Sequence, residues 1–278
     1  MLHRHCDFDE IPGTMKQRIA FIILLVWVAA ALLEPLLQIS PDEIYLPAIL
    51  AAPSADFWLG NDGLGRSVAE RLIAGARIAI VVAFSTVFVS ALAGTVIGAV
   101  SGYVGGTLDH LISRVIDIML AFPGILLAIA LAAILGPGIE NLIIAISSVG
   151  WVGYARLARA QAMTLRTREH ITAAIALGSG QGRVVFRHLL PLMMAPLLVE
   201  ASFGLASVIV AEAGLSFLGL GVQPPQASWG SMIREGAGFL LVAPHLAIFP
   251  GIAIMLVVLS ANLLGDWMRD RLDVRQNL

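Results

Sequence analysis

From Ile78 to Ser101 the chain runs without one charged side chain, and comparable apolar stretches recur along its length. A helix rises about 1.5 Å per residue, so roughly twenty apolar residues are needed to cross about 30 Å of hydrocarbon. Six stretches approach that requirement: Ile19 to Leu37, Ile78 to Ser101, Ile112 to Ile139, Asn141 to Ala155, Leu189 to Ala211 and Leu240 to Gly265. Backbone groups inside lipid must find their partners within the protein, which leaves helices or closed barrels. Alternating barrel strands of about ten residues are absent from the pattern. The expected fold is therefore all-α, an integral membrane protein with about six transmembrane helices. Composition agrees, because 13% of residues are charged, where a soluble domain keeps roughly a quarter to cover its wet surface.

Polar punctuation divides the chain into a tail over 1–18, a first span over 19–37, an outer loop over 38–77 and a five-helix core over 78–265. The core holds an inner loop at 156–188 and an outer loop at 212–239, and a second tail follows over 266–278. The Ala29-Ala30-Ala31 segment invites a signal-peptide reading, but the apolar run continues through Leu36 and Leu37. It is read as a retained span.

Orientation follows from the seventeen Lys and Arg residues. Three precede the first span, Arg114 adjoins the second inner connection, six lie between Arg156 and Arg187, and three follow Asp266. Thirteen cations thus fall on the side of the termini, against Arg66, Arg71, Arg77 and Arg234 on the other. The excess marks the cytoplasmic face, so both termini are expected inside.

A net charge of −2 does not suit a nucleic-acid binder, which needs cations in excess to neutralise phosphates. Cys6, the single cysteine, has no disulfide partner, and its neighbours His3, His5 and Asp7 read as a solvated tail rather than a metal site. The chain has one lysine, Lys16, and it lies outside any Gly-Lys-Ser/Thr phosphate loop. If transport is ATP-driven, hydrolysis belongs to another subunit.

The inner loop reads Thr172-Ala173-Ala174-Ile175-Ala176-Leu177-Gly178, and after nine residues His188-Leu189-Leu190-Pro191. The alanines favour a helix that a partner can approach closely, Gly178 permits a sharp turn, and Leu190-Pro191 suits the first turn of the fifth span. This pattern resembles the EAA loop of ABC importer permeases, with Thr172 in place of the usual acidic residue. Three further segments are similar to the dipeptide, oligopeptide and nickel class of that family. They are Phe57-Trp58-Leu59-Gly60-Asn61-Asp62-Gly63-Leu64-Gly65-Arg66, Gly214 to Pro225 followed by Ser228-Trp229-Gly230, and Asn262 to Asp270.

The resemblance implies an ABC importer permease fold with a cytoplasmic coupling helix, in a bacterial inner membrane. It implies a sister permease subunit forming a heterodimer, two cytoplasmic ATPase subunits that bind ATP and Mg, and an extracytoplasmic solute-binding protein. This chain itself needs no cofactor and is not an enzyme. Thr172, Ala173, Ala174, Gly178, His188, Leu190 and Pro191 are then the ATPase-coupling loop, and Phe217, Gln223, Pro224 and Trp229 the candidate contacts of the binding protein. Di- or oligopeptides are the expected solutes, with nickel or a metal chelate as the alternative.

Glu200 lies near the middle of the fifth span, where an acidic group is costly and faces the bundle interior. At 100° per residue it shares a face with Gly204, Ser207 and Ala211. That stripe lines a translocation path or serves close helix packing. Asp117 is expected to pair with Arg114, three residues earlier. Two other functions are weighed. An intramembrane hydrolase would use Ser216 with His245 as base, and a channel would need no inner docking loop.

Overall fold

The computed structural model describes residues 13–272, so Cys6, His3, His5 and Asp7 lie outside the described residues. It is helical throughout, with one isolated bridge between Asn61 and Ser67. Ten helices are named here: α1 Gly13–Leu33, α2 Val68–Val104, α3 Gly106–Leu120, α4 Gly124–Leu135, α5 Ile139–Leu165, α6 Glu169–Ala176, α7 Gln181–Arg183, α8 Leu190–Phe217, α9 Trp229–Ala237 and α10 His245–Leu272. Five helical stretches are long and apolar enough to cross a membrane, and six if α3 and α4 together make one span.

That third span departs from the single span expected from Ile112 to Ile139. The structure bends by 87° between α3 and α4. Pro123 explains the break, since it lacks an N–H and pushes Phe122 out of helical geometry. α3 is amphipathic with only Ile116 buried, and α4 is too short to cross alone. The expected Arg114–Asp117 pair does not form among the described residues. Both side chains are exposed, and the ion pair of α3 is instead Asp109 with Arg159 of α5, at 2.5 and 2.7 Å.

The second span also differs from expectation. α2 begins ten residues before Ile78, inside the segment read as outer loop. Ser67 accepts from the Glu70 N–H and starts the helix there, a Ser-x-x-Glu cap. Arg71 and Arg77 therefore stand on α2. Arg77 reaches Glu34 at the end of α1, at 2.8 Å. Arg71 is 1% exposed and joins Asp62 and Glu235 of α9; Arg66 bonds the same two acids at 2.7 and 2.9 Å. Two cations and two carboxylates thus tie the first outer loop, α2 and α9 together. Other ends lie beyond the expected spans, α5 running to Leu165, α8 to Phe217 and α10 to Leu272, whereas α1 stops at Leu33, short of Leu37, and α10 starts at His245 rather than Leu240.

α2 is the centre of the bundle, and its contact with α5 rests on glycine. Gly94, Gly98 and Gly102 recur every fourth residue on one face. A Cβ at Gly98 would stand 2.9 Å from the Ala155 Cα, one at Gly94 2.7 Å from the Tyr154 Cβ, and one at Gly102 2.9 Å from the Ala162 Cβ. The two backbones therefore touch directly. In lipid no hydrophobic force drives helices together, so close packing must supply the association. Ala155, Ala158 and Ala162, all fully buried, keep the opposite surface equally low.

Gly98→Ala is expected to destabilise the folded permease by about 1–3 kcal/mol through overpacking. Gly251→Ala on α10, where an added Cβ meets nothing within 4 Å, should leave stability unchanged or raised. Thermal unfolding of both variants in nanodiscs checks this, and equal melting temperatures would remove the ladder from the account.

Candidate functional site

Between α5 and α8, α6 is a two-turn helix anchored by one side chain. Ile171 is fully buried, and α6 packs on a π-helical turn, Val184–Leu189, whose Val184 and Leu189 are fully buried too. Thr172 donates to the Glu169 carbonyl at 2.8 Å and so spends its hydroxyl within its own helix. Ala173 is exposed and Ala174 half-buried, while Ile175 and Leu177 project outward, Leu177 at 88% exposure. An apolar face of small and branched side chains is left uncovered.

Gly178 ends the helix. Its φ is +85°, its N–H donates to the Ile175 carbonyl at 2.9 Å, and the Ser179 N–H donates to the Ala174 carbonyl at 3.0 Å. These two bonds form a Schellman cap, which needs a left-handed residue where Gly178 stands. The expected turn between two short helices is thus present. His188, Leu190 and Pro191 lie elsewhere. They belong to the base of α8, which continues from α7 through the π-turn as one rod over Gln181–Phe217. Leu190 and Pro191 stand in the first turn of α8, as expected, and Pro191 lacks the N–H that would bond the Arg187 carbonyl. The ladder shifts just ahead of it, with the Leu190 N–H donating to Val185.

Higher in the bundle, a groove of about 780 Å³ is walled by α2, α4, α5, α8 and α10. Glu200, Gly204, Ser207 and Ala211 all line it, on the shared face read from the sequence. Opposite them stands Tyr154 of α5. Its hydroxyl is buried without a hydrogen-bond partner and would lie 2.5 Å from a Cβ at Gly204. Glu200 Oε1 in turn lies 3.2 Å from a Cβ position at Gly153. Each large polar side chain is therefore accommodated by a glycine on the facing helix. Ser90 and Asn262 complete the polar lining, and the Ser90 hydroxyl is also unpartnered. Tyr154 and Ser90 are not legible as site residues from the sequence, since each is one of several polar residues scattered through its apolar run.

At the outer end, Phe217, Gln223 and Pro224 are exposed, and the Gln223 amide donates to the Gly219 and Gly221 carbonyls at 3.1 and 3.0 Å. Trp229 is different. It is 3% exposed, donates to the Leu72 carbonyl at 2.9 Å and packs against Trp27 with ring centres 6.5 Å apart. Its side chain offers no surface to a partner and holds α9 against α1 and α2 from within. Ser216 donates to Glu212 at 2.7 Å, and His245 lies beside the Gly60 turn. No hydrogen bond joins Ser216 to His245 among the described residues, so the hydrolase arrangement is not formed.

Residues 94–277 match the family described as binding-protein-dependent transport system inner membrane component. The chain belongs to that family. As an ABC importer permease it is further similar to the dipeptide transport system permease protein DppC of Alkalihalophilus pseudofirmus. The two are 44% identical over 267 residues, 96% of this chain and 88% of the relative. The glutathione transport system permease protein GsiD of Pectobacterium atrosepticum is 42% identical over 221 residues, 80% of this chain and 73% of the relative. GsiD of an Escherichia coli O6:K15:H31 strain is 44% identical over the same length.

In a permease of this family the Gly178 cap is open to a direct test, because nothing lies within 4 Å of an added Cβ there. Any cost of substitution is backbone strain alone. Gly178→Val should cost on the order of 1–2 kcal/mol at the cap and weaken retention of the ATPase, whereas Gly178→Asn, which tolerates positive φ, should be close to wild type. Co-purification of the ATPase with correctly inserted variants is the measurement. Equal retention by all three would show that this cap does not support docking.

Proposed function

We propose that this chain is the permease subunit of a peptide importer and provides one wall of its translocation path. The observation that carries the reading is the groove around Glu200, a mostly apolar recess among five helices that holds one carboxyl and the polar side chains of Ser90, Tyr154, Ser207 and Asn262. Similarity to a dipeptide permease over nearly the whole chain supports peptides as solutes, and the nickel alternative is not favoured. Di- and tripeptides, delivered by an extracytoplasmic binding protein, are the solutes assigned.

The groove is open along one side, which a sister permease subunit closes. ATP and Mg are bound by two cytoplasmic ATPase subunits that dock on α6 through Ala173, Ile175 and Leu177. Closure of the ATPases moves α6, and α8 carries the displacement toward Glu200. Both termini and α6 are cytoplasmic, while Phe217, Gln223 and Pro224 face the binding protein.

Reconstitution of the whole complex in proteoliposomes tests the solute: peptide-loaded binding protein should stimulate ATP hydrolysis and drive peptide uptake. Stimulation by a metal chelate but by no peptide would overturn the assignment. Topology is checked in a Cys6→Ser background with exposed positions. Cysteines at Asp56 and Gln226 should react with an impermeant thiol reagent from outside only, and one at Gly180 from inside only.

A further inference from the structure

Among the residues lining the groove, Glu200 is the only one of the Asp, Glu, Lys, Arg and His types. No hydrogen bond or ion pair to its carboxyl forms among the described residues, although ion pairs do occupy both ends of the bundle. An acidic group inside a membrane protein normally finds an internal partner, because its desolvation is otherwise uncompensated. The Tyr154 and Ser90 hydroxyls, both buried and unpartnered, line the same groove, together with Ser207 and Asn262. The wall is thus built with one negative charge, no positive one, and two hydroxyls, those of Tyr154 and Ser90, without a partner, while the Ser207 hydroxyl donates to the Phe203 carbonyl.

We infer that Glu200, with Tyr154 and Ser90 beside it, forms a transient subsite for the protonated amino group of the passing solute, so that this wall favours solutes with a free amino terminus. The inference rests on the peptide reading and deepens it. A peptide carries an ammonium at one end and a carboxylate at the other, and each must shed water on entering a narrow path. The ammonium has three donors, which one carboxylate and two hydroxyl oxygens can accept. Its charge is thereby offset where the surrounding dielectric is low. The peptide's carboxylate finds no cation on this wall.

The geometry also limits how strongly the subsite holds. The groove is open along one side, and the ligands are one carboxyl and neutral groups rather than a closed cage of charges. A path must bind well enough to admit its solute and weakly enough to release it. Gly153 and Gly204, which give Glu200 and Tyr154 their room, keep both groups at the junction of α5 and α8. The carboxyl therefore sits where two of the groove's walls meet.

The test uses the complete complex with its binding protein and ATPases, and compares wild type with Glu200→Gln and Glu200→Asp. Uptake of a free-amino dipeptide and of its N-acetylated counterpart is measured for each. Dividing each variant's rate by that of wild type for the same peptide removes the binding protein's own preference. Glu200→Gln should lower free-amino uptake at least tenfold, the worth of a charge-assisted hydrogen bond, while leaving the acetylated peptide within about twofold. Glu200→Asp should retain the amino preference.

Where wild type does not carry the acetylated peptide, pH replaces it as the variable. The advantage of wild type over Glu200→Gln should shrink as pH rises through about 7.7–8.0, where the free α-amino group loses its proton. Tyr154 is the other titratable side chain on the groove, and Tyr154→Phe carried through the same series separates its contribution. Equal losses for both peptides, no loss for either, or a pH-independent advantage would overturn the subsite. A wild-type complex that carries no free-amino peptide overturns the peptide reading itself, and the subsite with it. The two failures are distinct, because the second shows already in wild type.

Discussion

The direct backbone contact between α2 and α5 is the constraint from which the rest of the bundle follows. Three glycines, each four residues after the last, bring the two helices closer than any side chain would allow. The spacing winds them together along their inner halves and fixes where Tyr154 emerges. One turn higher, Ser90 occupies the position the glycines hold below, and its hydroxyl would lie 2.7 Å from a Cβ at Gly150. There the seam opens into the groove.

This dependence explains what the sequence made legible. Runs of apolar residues mark spans because the cost of charge in hydrocarbon is large compared with any local preference, and the spans were found on that ground. Their ends were misplaced wherever a local bond outranked hydropathy. Ser67 starts α2 within a charged stretch because it satisfies an orphan N–H, and Arg71 is tolerated there because Asp62 and Glu235 neutralise it. Both acids are distant from Arg71 in the chain or read as loop residues, so their meeting could not be inferred from hydropathy. Pro123 was visible as a residue, but a proline within an apolar run is compatible with a kinked span as well as with an 87° bend.

The candidate site divides in the same way. Glu200 and its small neighbours announced themselves through helical periodicity, which needs only one element. Tyr154 did not, because its importance comes from facing Gly204 across a helix crossing. Trp229 misled for the complementary reason: an aromatic in a glycine-rich outer segment reads as exposed, whereas Gly75 on α2 provides the slot that buries it, with an added Cβ only 2.7 Å from the indole. Glycine on one helix determines where a large side chain on another can go. That information is spread over two distant segments.

The same logic locates stiffness and compliance. α2 and α5 are regular and backbone-packed, so they form one body, with Asp109 and Arg159 locking α3 onto it at the inner side. α8 is less regular. Its π-turn at Val184–Leu189 and its internal Pro196 both lie between α6 and Glu200. Each interrupts the helical ladder, and interruptions of this kind are where helices bend. A displacement applied at α6 therefore enters α8 below its weak points, while the opposite wall is held by the glycine seam. Of the groove's walls, α2 and α5 belong to the first of these bodies and α8 to the second, so relative movement between them changes the width of the opening and the distance from Glu200 to Tyr154. The carboxyl that meets the solute stands on the compliant wall, and the hydroxyl that completes its surroundings stands on the rigid one.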